Sequence, residues 1–232
     1  MDFFEVANKR RAVRKFTSDP VPAVVIEKAL DAALVAPTSS NLQAWEFYWV
    51  RSPQKKTKLV EACFAQPAAG TAAELIVAVS RVDTWRRNRA LVMQDMAKQG
   101  PVPEAVLTYY NKLVPISYMQ DPFGILGVLK KILFTCVGFF RPAPRGPAFR
   151  SELFEVVTKS TALACENLML ALVAQGFDSC PMEGFDECRV KKILELNRKT
   201  HVVMVLGIGK ADPAGIFGPR LRIDRSLVVK EV

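Results

Sequence analysis

An α+β fold is predicted by three features of this 232-residue chain. Helical and extended apolar patterns alternate along it, a run from Leu153 to Gln175 is apolar on nearly every side, and two short runs, Leu75 to Val79 and Val202 to Ile208, read as buried strands. A helix with almost no polar face has to be surrounded, so the 153–175 segment is the expected central helix. The remaining elements follow in order. Asp2 and Glu5 stand as the N-cap acid and third-position carboxylate of a helix reaching about Lys9. The cluster Thr17-Ser18-Asp19-Pro20-Val21-Pro22 ends it, and Pro22 opens a second helix whose stripe is Ile26, Ala29/Leu30 and Ala33/Leu34, stopping before Pro37. Trp45 to Val50 is aromatic and favours a strand, and Ser52-Pro53 starts a helix to about Ala65. Helical pieces near residues 86–99, 103–113 and 124–136 form a basic, apolar subregion at about 83–150. It closes on Arg141-Pro142-Ala143-Pro144-Arg145-Gly146-Pro147, too proline-rich for regular structure. Gly176 halts the long helix where a left-handed residue fits, and a helix capped by Asp186 turns Val190, Ile193 and Leu194 inward before the last strand. With no internal repeat, the expectation is one domain over residues 1–232 carrying an inserted subregion.

Composition excludes more than it assigns. Half the residues are hydrophobic (50%) and mean hydropathy is +0.13, enough to fill a core. The one histidine, His201, removes Ser-His-Asp and Cys-His hydrolases, HExxH proteases and multi-histidine metal centres, and its place before an apolar run marks it as structural. Five cysteines, odd in number and without a C-x-x-C pair, read as reduced thiols with no metal role. The N-terminus has acids in its first turn and no basic-then-apolar signal pattern, so a cytoplasmic location is expected. Chemistry in such a chain has to come from a bound cofactor.

The net charge of +9 is uneven. Ten Lys/Arg against three acids between Trp85 and Arg150 leave +7 in the subregion. Such a field attracts nucleic acid, anionic lipid or an anionic small molecule, or is simply a solvated face. Nucleic acid is not expected, because no helix-turn-helix, RRM or zinc signature accompanies the cations and apolar residues interleave them. Within the subregion, Phe123 to Phe140 is eighteen mostly apolar residues split by Lys130 and Lys131 into runs of seven and nine. Neither run approaches the ~20 residues of a membrane span, which leaves an interfacial or lid helix and not a transmembrane one.

Three short segments are chemically suggestive, each with a plainer alternative. Arg10, Arg11, Arg14 and Lys15 crowd the end of the first helix, where cations also complement the helix dipole. Ala36-Pro37-Thr38-Ser39-Ser40-Asn41-Leu42-Gln43-Ala44-Trp45 is a polar loop before a strand, and equally ordinary turn chemistry. Cys180-Pro181-Met182-Glu183-Gly184-Phe185-Asp186 ends on a glycine that can merely make a turn. Together with Gly218-Pro219-Arg220-Leu221-Arg222, their order and spacing resemble the FMN-dependent nitroreductase family, over about residues 2–82 and 151–227. The insert at about 83–150 lies outside those motifs.

The resemblance implies a nitroreductase-like fold: a central, mostly antiparallel sheet flanked by helices around the long buried helix, in an intertwined homodimer with FMN at the interface. It implies that Arg10, Arg220 and Arg222 hold the phosphate, where a guanidinium fork suits a dianion. Arg11 and Arg14 fall where the family lines the ribityl chain and pyrimidine end, and a cation there raises the flavin potential. Pro37, Thr38, Ser39 and Asn41 are implied to reach the ring from the partner subunit. Pro181, Met182, Glu183 and Gly184 would run along the other edge with backbone N–H groups near N5 and O4, and Gln66 would meet the pyrimidine edge. Ala12 stands where many members have serine, and Ala44 replaces a common proline.

The chemistry so implied is ping-pong. NADPH or NADH stacks on the flavin and gives hydride to N5, then a nitroaromatic, quinone or related flat acceptor takes its place, with no side-chain acid or base required. The insert is the expected determinant of acceptor choice. Three other readings remain open on the same residues: a reductive dehalogenase, an ene-reductase, and a flavin-fold protein that binds a membrane surface through 123–140.

Overall fold

The computed structural model describes residues 1–232. Its frame is one antiparallel sheet of four strands, β1 (Trp45–Trp49), β2 (Glu74–Arg81), β3 (Asp178–Met182) and β4 (Thr200–Gly209), in the order β1-β2-β4-β3. The two runs foreseen as buried strands are the central pair. Both are covered on each face, which is why they read as continuous apolar runs and not as alternation. Ile76 lies opposite Leu206 and Val77 opposite Val205, with a register shift between Ala78 and Val79.

The helices form in sequence as local chemistry dictates. In α1 (Phe3–Lys9), Asp2 and Glu5 make the foreseen reciprocal cap, each side chain accepting from the other's backbone N–H. Pro22 precedes α2 (Ala23–Leu34), which buries Ile26, Ala29 and Ala33. Leu34, expected inward, is half exposed, because the last turn of α2 overhangs a cleft instead of the sheet. Then come α3 (Pro53–Ala62) and the single turn α4 (Pro67–Gly70). The subregion holds α5 (Trp85–Gln99), α6 (Glu104–Thr108), a π-helical turn at Tyr109–Leu113, α7 (Val114–Tyr118) and α8 (Ile125–Phe140). The central helix is α9 (Arg150–Ala174), followed by α10 (Glu187–Ile193), capped by Asp186 accepting from the Arg189 N–H, and α11 (Arg225–Val228).

Two layers cover the sheet. On one side α2 and α9 pack together and onto the strands, with Ile26, Leu168 and Leu172 against Ile76, Leu206 and Ile208. By length and hydropathy α9 is apolar enough to cross a membrane, but this packing is where its apolar surface is spent. It ends as foreseen: Gly176 sits at φ +79°, and the N–H groups of Gly176 and Phe177 close on the carbonyls of Val173 and Leu172. On the other side α3, α4 and α10 join Val13 and Phe16 of the N-terminal segment. Gly207 on β4 is what lets α4 lie so close, since a Cβ there would run into the Ala68 carbonyl oxygen. A third apolar cluster, including Leu42, Trp85, Tyr110, Tyr118 and Leu153, ties the subregion to the Ser39–Asn41 turn and the start of α9.

His201 is structural as expected. Its Nδ1 lies 3.1 Å from Glu187 Oε1, and its ring meets Phe154 edge-on.

Candidate functional site

Two distant stretches of chain build one cationic cleft. Arg10, Arg11 and Arg14 follow α1, and Arg220 and Arg222 return from the far end of the chain; all five line a cleft of about 300 Å³ that has no acid in its wall. The chain is brought back by Gly218, at φ +63°, whose carbonyl accepts from Arg11 Nη2 at 2.9 Å. Arg220 Nη2 in turn donates to the carbonyls of Asn8 (2.6 Å) and Arg10 (2.5 Å), capping the C-terminal end of α1. Partial desolvation and the like charges of Arg222, Arg11 and Arg10 push the Arg220 guanidinium below its ordinary value. Of the five, Arg10 has a carboxylate partner, Glu166 on α9 at 3.2 Å. Such a cluster is relieved by an anion of high charge, and a phosphate dianion suits it in charge and in fork geometry.

Arg14 points elsewhere within the same wall. Its Nη1 lies 3.5 Å from the sulfur of Cys180, on β3. Burial pushes the Cys180 thiol up, although Arg14 pulls it back, so the sulfur meets the cation as a neutral acceptor. This contact ties the arginine wall to the strand that leads into Pro181 to Gly184. Past β3 the backbone leaves the sheet, and the exposed N–H groups of Glu183 and Gly184 donate to no protein acceptor. Gln66 reaches the same turn: its Nε2 donates to Gly184 O at 2.9 Å and to Cys63 O at 3.1 Å, which leaves the amide oxygen free to accept.

The Pro37–Asn41 loop is separate. Within one chain it does not line the arginine cleft. It is a held and strained turn: Ser40, Asn41 and Gln43 all have positive φ, at 54°, 50° and 46°. Left-handed backbone at a residue other than glycine costs on the order of 1 kcal/mol each, so the surroundings must impose it. Ser160 of α9 accepts from the Ser39 N–H at 3.3 Å, and Thr38 Oγ1 accepts from the Gln43 N–H at 3.2 Å. From the subregion, Tyr109 OH pairs with Ser40 Oγ at 2.7 Å, Tyr110 OH donates to Ser40 O at 3.0 Å, and Asn88 Nδ2 donates to Leu42 O at 2.8 Å. Beside the turn, α2, β1 and α5 enclose a cleft of about 780 Å³ whose wall includes Asn41, Trp45, Phe47 and Met96.

The structure therefore joins Arg10, Arg11, Arg14, Arg220 and Arg222 in one wall, links that wall to Pro181–Gly184 through Cys180, and sets Gln66 against Gly184. Pro37, Thr38, Ser39 and Asn41 stand apart from them. Sequence reasoning missed Glu166, Ser160 and Asn88, and gave Cys180, Tyr109 and Tyr110 none of these contacts. Each acts across a long separation in sequence, and no local pattern announces it.

A family model described as the nitroreductase family matches residues 7–125 and 132–210. It runs through most of the 83–150 segment that the motifs left outside, skipping 126–131 alone in that stretch. Protein DrgA of Synechocystis is 28% identical over 211 residues, covering 90% of this chain and 84% of that protein. The NADH dehydrogenase of Thermus thermophilus is 28% identical over 225 residues, covering 97% of this chain and 94% of that protein. Among solved structures, a protein from Exiguobacterium sibiricum 255-15 in complex with FMN superposes with a TM-score of 0.71 at 23% identity, covering 100% of this chain and 98% of that one.

Proposed function

This chain belongs to the nitroreductase family, and with it to the FMN-dependent NAD(P)H oxidoreductases; we propose that its acceptors are flat, electron-poor molecules of the nitroaromatic or quinone kind, reduced in ping-pong order. The observation that carries the reading is the cleft in which five arginines and no acid face one another. Riboflavin 5′-phosphate, FMN, is the cofactor of this family whose phosphate such a wall fits. The chemistry FMN supplies when bound is two-electron transfer, from reduced nicotinamide to the acceptor.

The chain's own residues hold and tune it. Arg10, Arg220 and Arg222 bind the phosphate, with Arg220 oriented by the carbonyls of Asn8 and Arg10. Arg11 and Arg14, in the same wall, would add positive charge beside a bound flavin, which would raise its potential. The free N–H groups of Glu183 and Gly184 orient the ring without adding a titrating group. Gln66, with both amide protons taken by Cys63 and Gly184, offers its oxygen to a ring N–H. Pro37, Thr38, Ser39 and Asn41 contact the ring in a second copy of this chain, which accounts for their distance from the arginine wall of their own. The functional unit is thus a homodimer of two one-domain chains, each spanning residues 1–232. Five unpaired cysteines suit the cytoplasm.

Steady-state turnover tests this. Varying NADPH or NADH against a quinone or nitroaromatic should give parallel double-reciprocal lines; intersecting lines contradict the shared-place order.

A further inference from the structure

Helix α8 is amphipathic in the wrong sense for a helix covering its own protein. Its glycines and Lys130 face the body of the protein, Lys131 reaches back to it at the edge, and most of its large apolar side chains face outward. Gly127 packs under Phe149 and Gly138 under the Arg145 side chain. Lys130 is 5% exposed, with Nζ donating to Met119 O at 2.5 Å, and Lys131 pairs with Glu152 at 2.7 Å. The two charges that interrupt the segment in sequence are thus consumed internally. What remains outside is a stripe of Val128, Leu129, Ile132, Leu133, Phe139 and Phe140, the last two 80% and 91% exposed, with Thr135 and Cys136 exposed between its halves. The spacing of these positions is one helix face, and no helix or strand packs along α8 beyond isolated contacts.

We propose that this face is an interfacial anchor that seats α8 flat on an anionic lipid bilayer. At 16 residues the helix is ~24 Å long, too short to cross the hydrocarbon and long enough to lie in the headgroup layer. Charge selects the occupant. Pro122 to Arg150 contains no acid, and of its five Lys/Arg the three that are neither buried nor paired with a carboxylate are Arg141, Arg145 and Arg150. The flanking acids are taken, since Asp121 accepts from the N–H groups of Phe123, Ile125 and Leu126, and Glu152 pairs with Lys131. Arg141, next to Phe140, has no carboxylate partner, and Arg145 donates to the Phe134 carbonyl alone. A second copy brought against this face by its own symmetric surface would set like charges against like. An anionic bilayer supplies both the apolar layer and the opposite charge. Tyr109, Tyr110 and Asn88 connect the same subregion to the Ser40 turn, so an anchored subregion would hold the candidate site at the surface where apolar acceptors dissolve.

Flotation of the full-length protein, as purified, with phosphatidylcholine vesicles and with mixed phosphatidylglycerol–phosphatidylcholine vesicles tests the proposal. The expected result is flotation with the mixed vesicles alone, falling as salt rises, and reduced at least ~10-fold in a Phe139→Ser/Phe140→Ser variant. That variant should keep the wild-type size-exclusion mass and melting curve, since both side chains lie outside the core. Three results overturn the proposal: no flotation of wild type at low salt, equal flotation with both vesicle types, or a variant whose oligomeric mass falls, which assigns the face to a second copy. The assay reads no turnover, so its outcome is independent of the flavin chemistry.

Discussion

Replacing Arg220 by alanine, with FMN and riboflavin compared, separates phosphate recognition from recognition of the flavin ring. In the cleft, Arg220 has one amino group committed to the carbonyls of Asn8 and Arg10, and its remaining donors face a wall shared with Arg10, Arg11, Arg14 and Arg222. A charged hydrogen bond of this kind contributes about 1.5–3 kcal/mol, so its loss should weaken FMN binding about 10- to 100-fold. Riboflavin lacks the phosphate and should bind the variant and the wild type equally. Losing the cap on α1 should also lower the melting temperature by about 2–4 °C, the scale of ~1 kcal/mol in a chain of this size. Arg220→Lys keeps the charge but not the fork and should fall between the two. The assay is quenching of flavin fluorescence during titration of apoprotein, with both flavins in parallel. If FMN and riboflavin weaken together, or FMN does not weaken, the arginine wall is not a phosphate site.

Other expected outcomes reach the frame and the strained turn. Gly207→Ala should abolish the folded soluble protein or lower its melting point by more than any surface change, because the new Cβ meets the Ala68 backbone and not a flexible side chain; circular dichroism melting checks it. The paired change Tyr109→Phe/Tyr110→Phe removes two hydrogen bonds from the Ser40 segment, at about 1 kcal/mol each. It should raise amide exchange at 38–43 and lower kcat/KM while leaving exchange in β2 and β4 unchanged. Hydrogen bonding from Arg81 holds the Asp83 carboxyl below its ordinary 3.8. Its stabilisation is therefore complete above that pH and lost as pH falls through the lower folded value, and Asp83→Asn should flatten the acid limb of a stability–pH curve.

Much of the frame was legible because its signals are local. Asp2 with Glu5, Pro22, Asp186 and Gly176 each mark an end by chemistry within a few residues, and the β2 and β4 runs are apolar because both faces are covered. The arginine wall was legible as motif order, but its geometry was not: Glu166 reaches Arg10, Cys180 reaches Arg14 and Gly184 reaches Gln66 through the fold alone. The rotation of α8 shows the limit most plainly. In sequence, Lys130 and Lys131 read as charges that break an apolar run. In the structure, Gly127 lies against Phe149, Lys130 goes inward on the same side, and Lys131 turns back to Glu152 at the edge.

Whether this chain is a flavin enzyme is tested most simply by the visible spectrum of the purified protein, taken before and after anaerobic NADPH or NADH and again after a quinone or nitroaromatic. The expected result is a yellow protein with one FMN per chain, bleached by the nicotinamide and restored by the acceptor. A colourless protein that takes up no added FMN would contradict it.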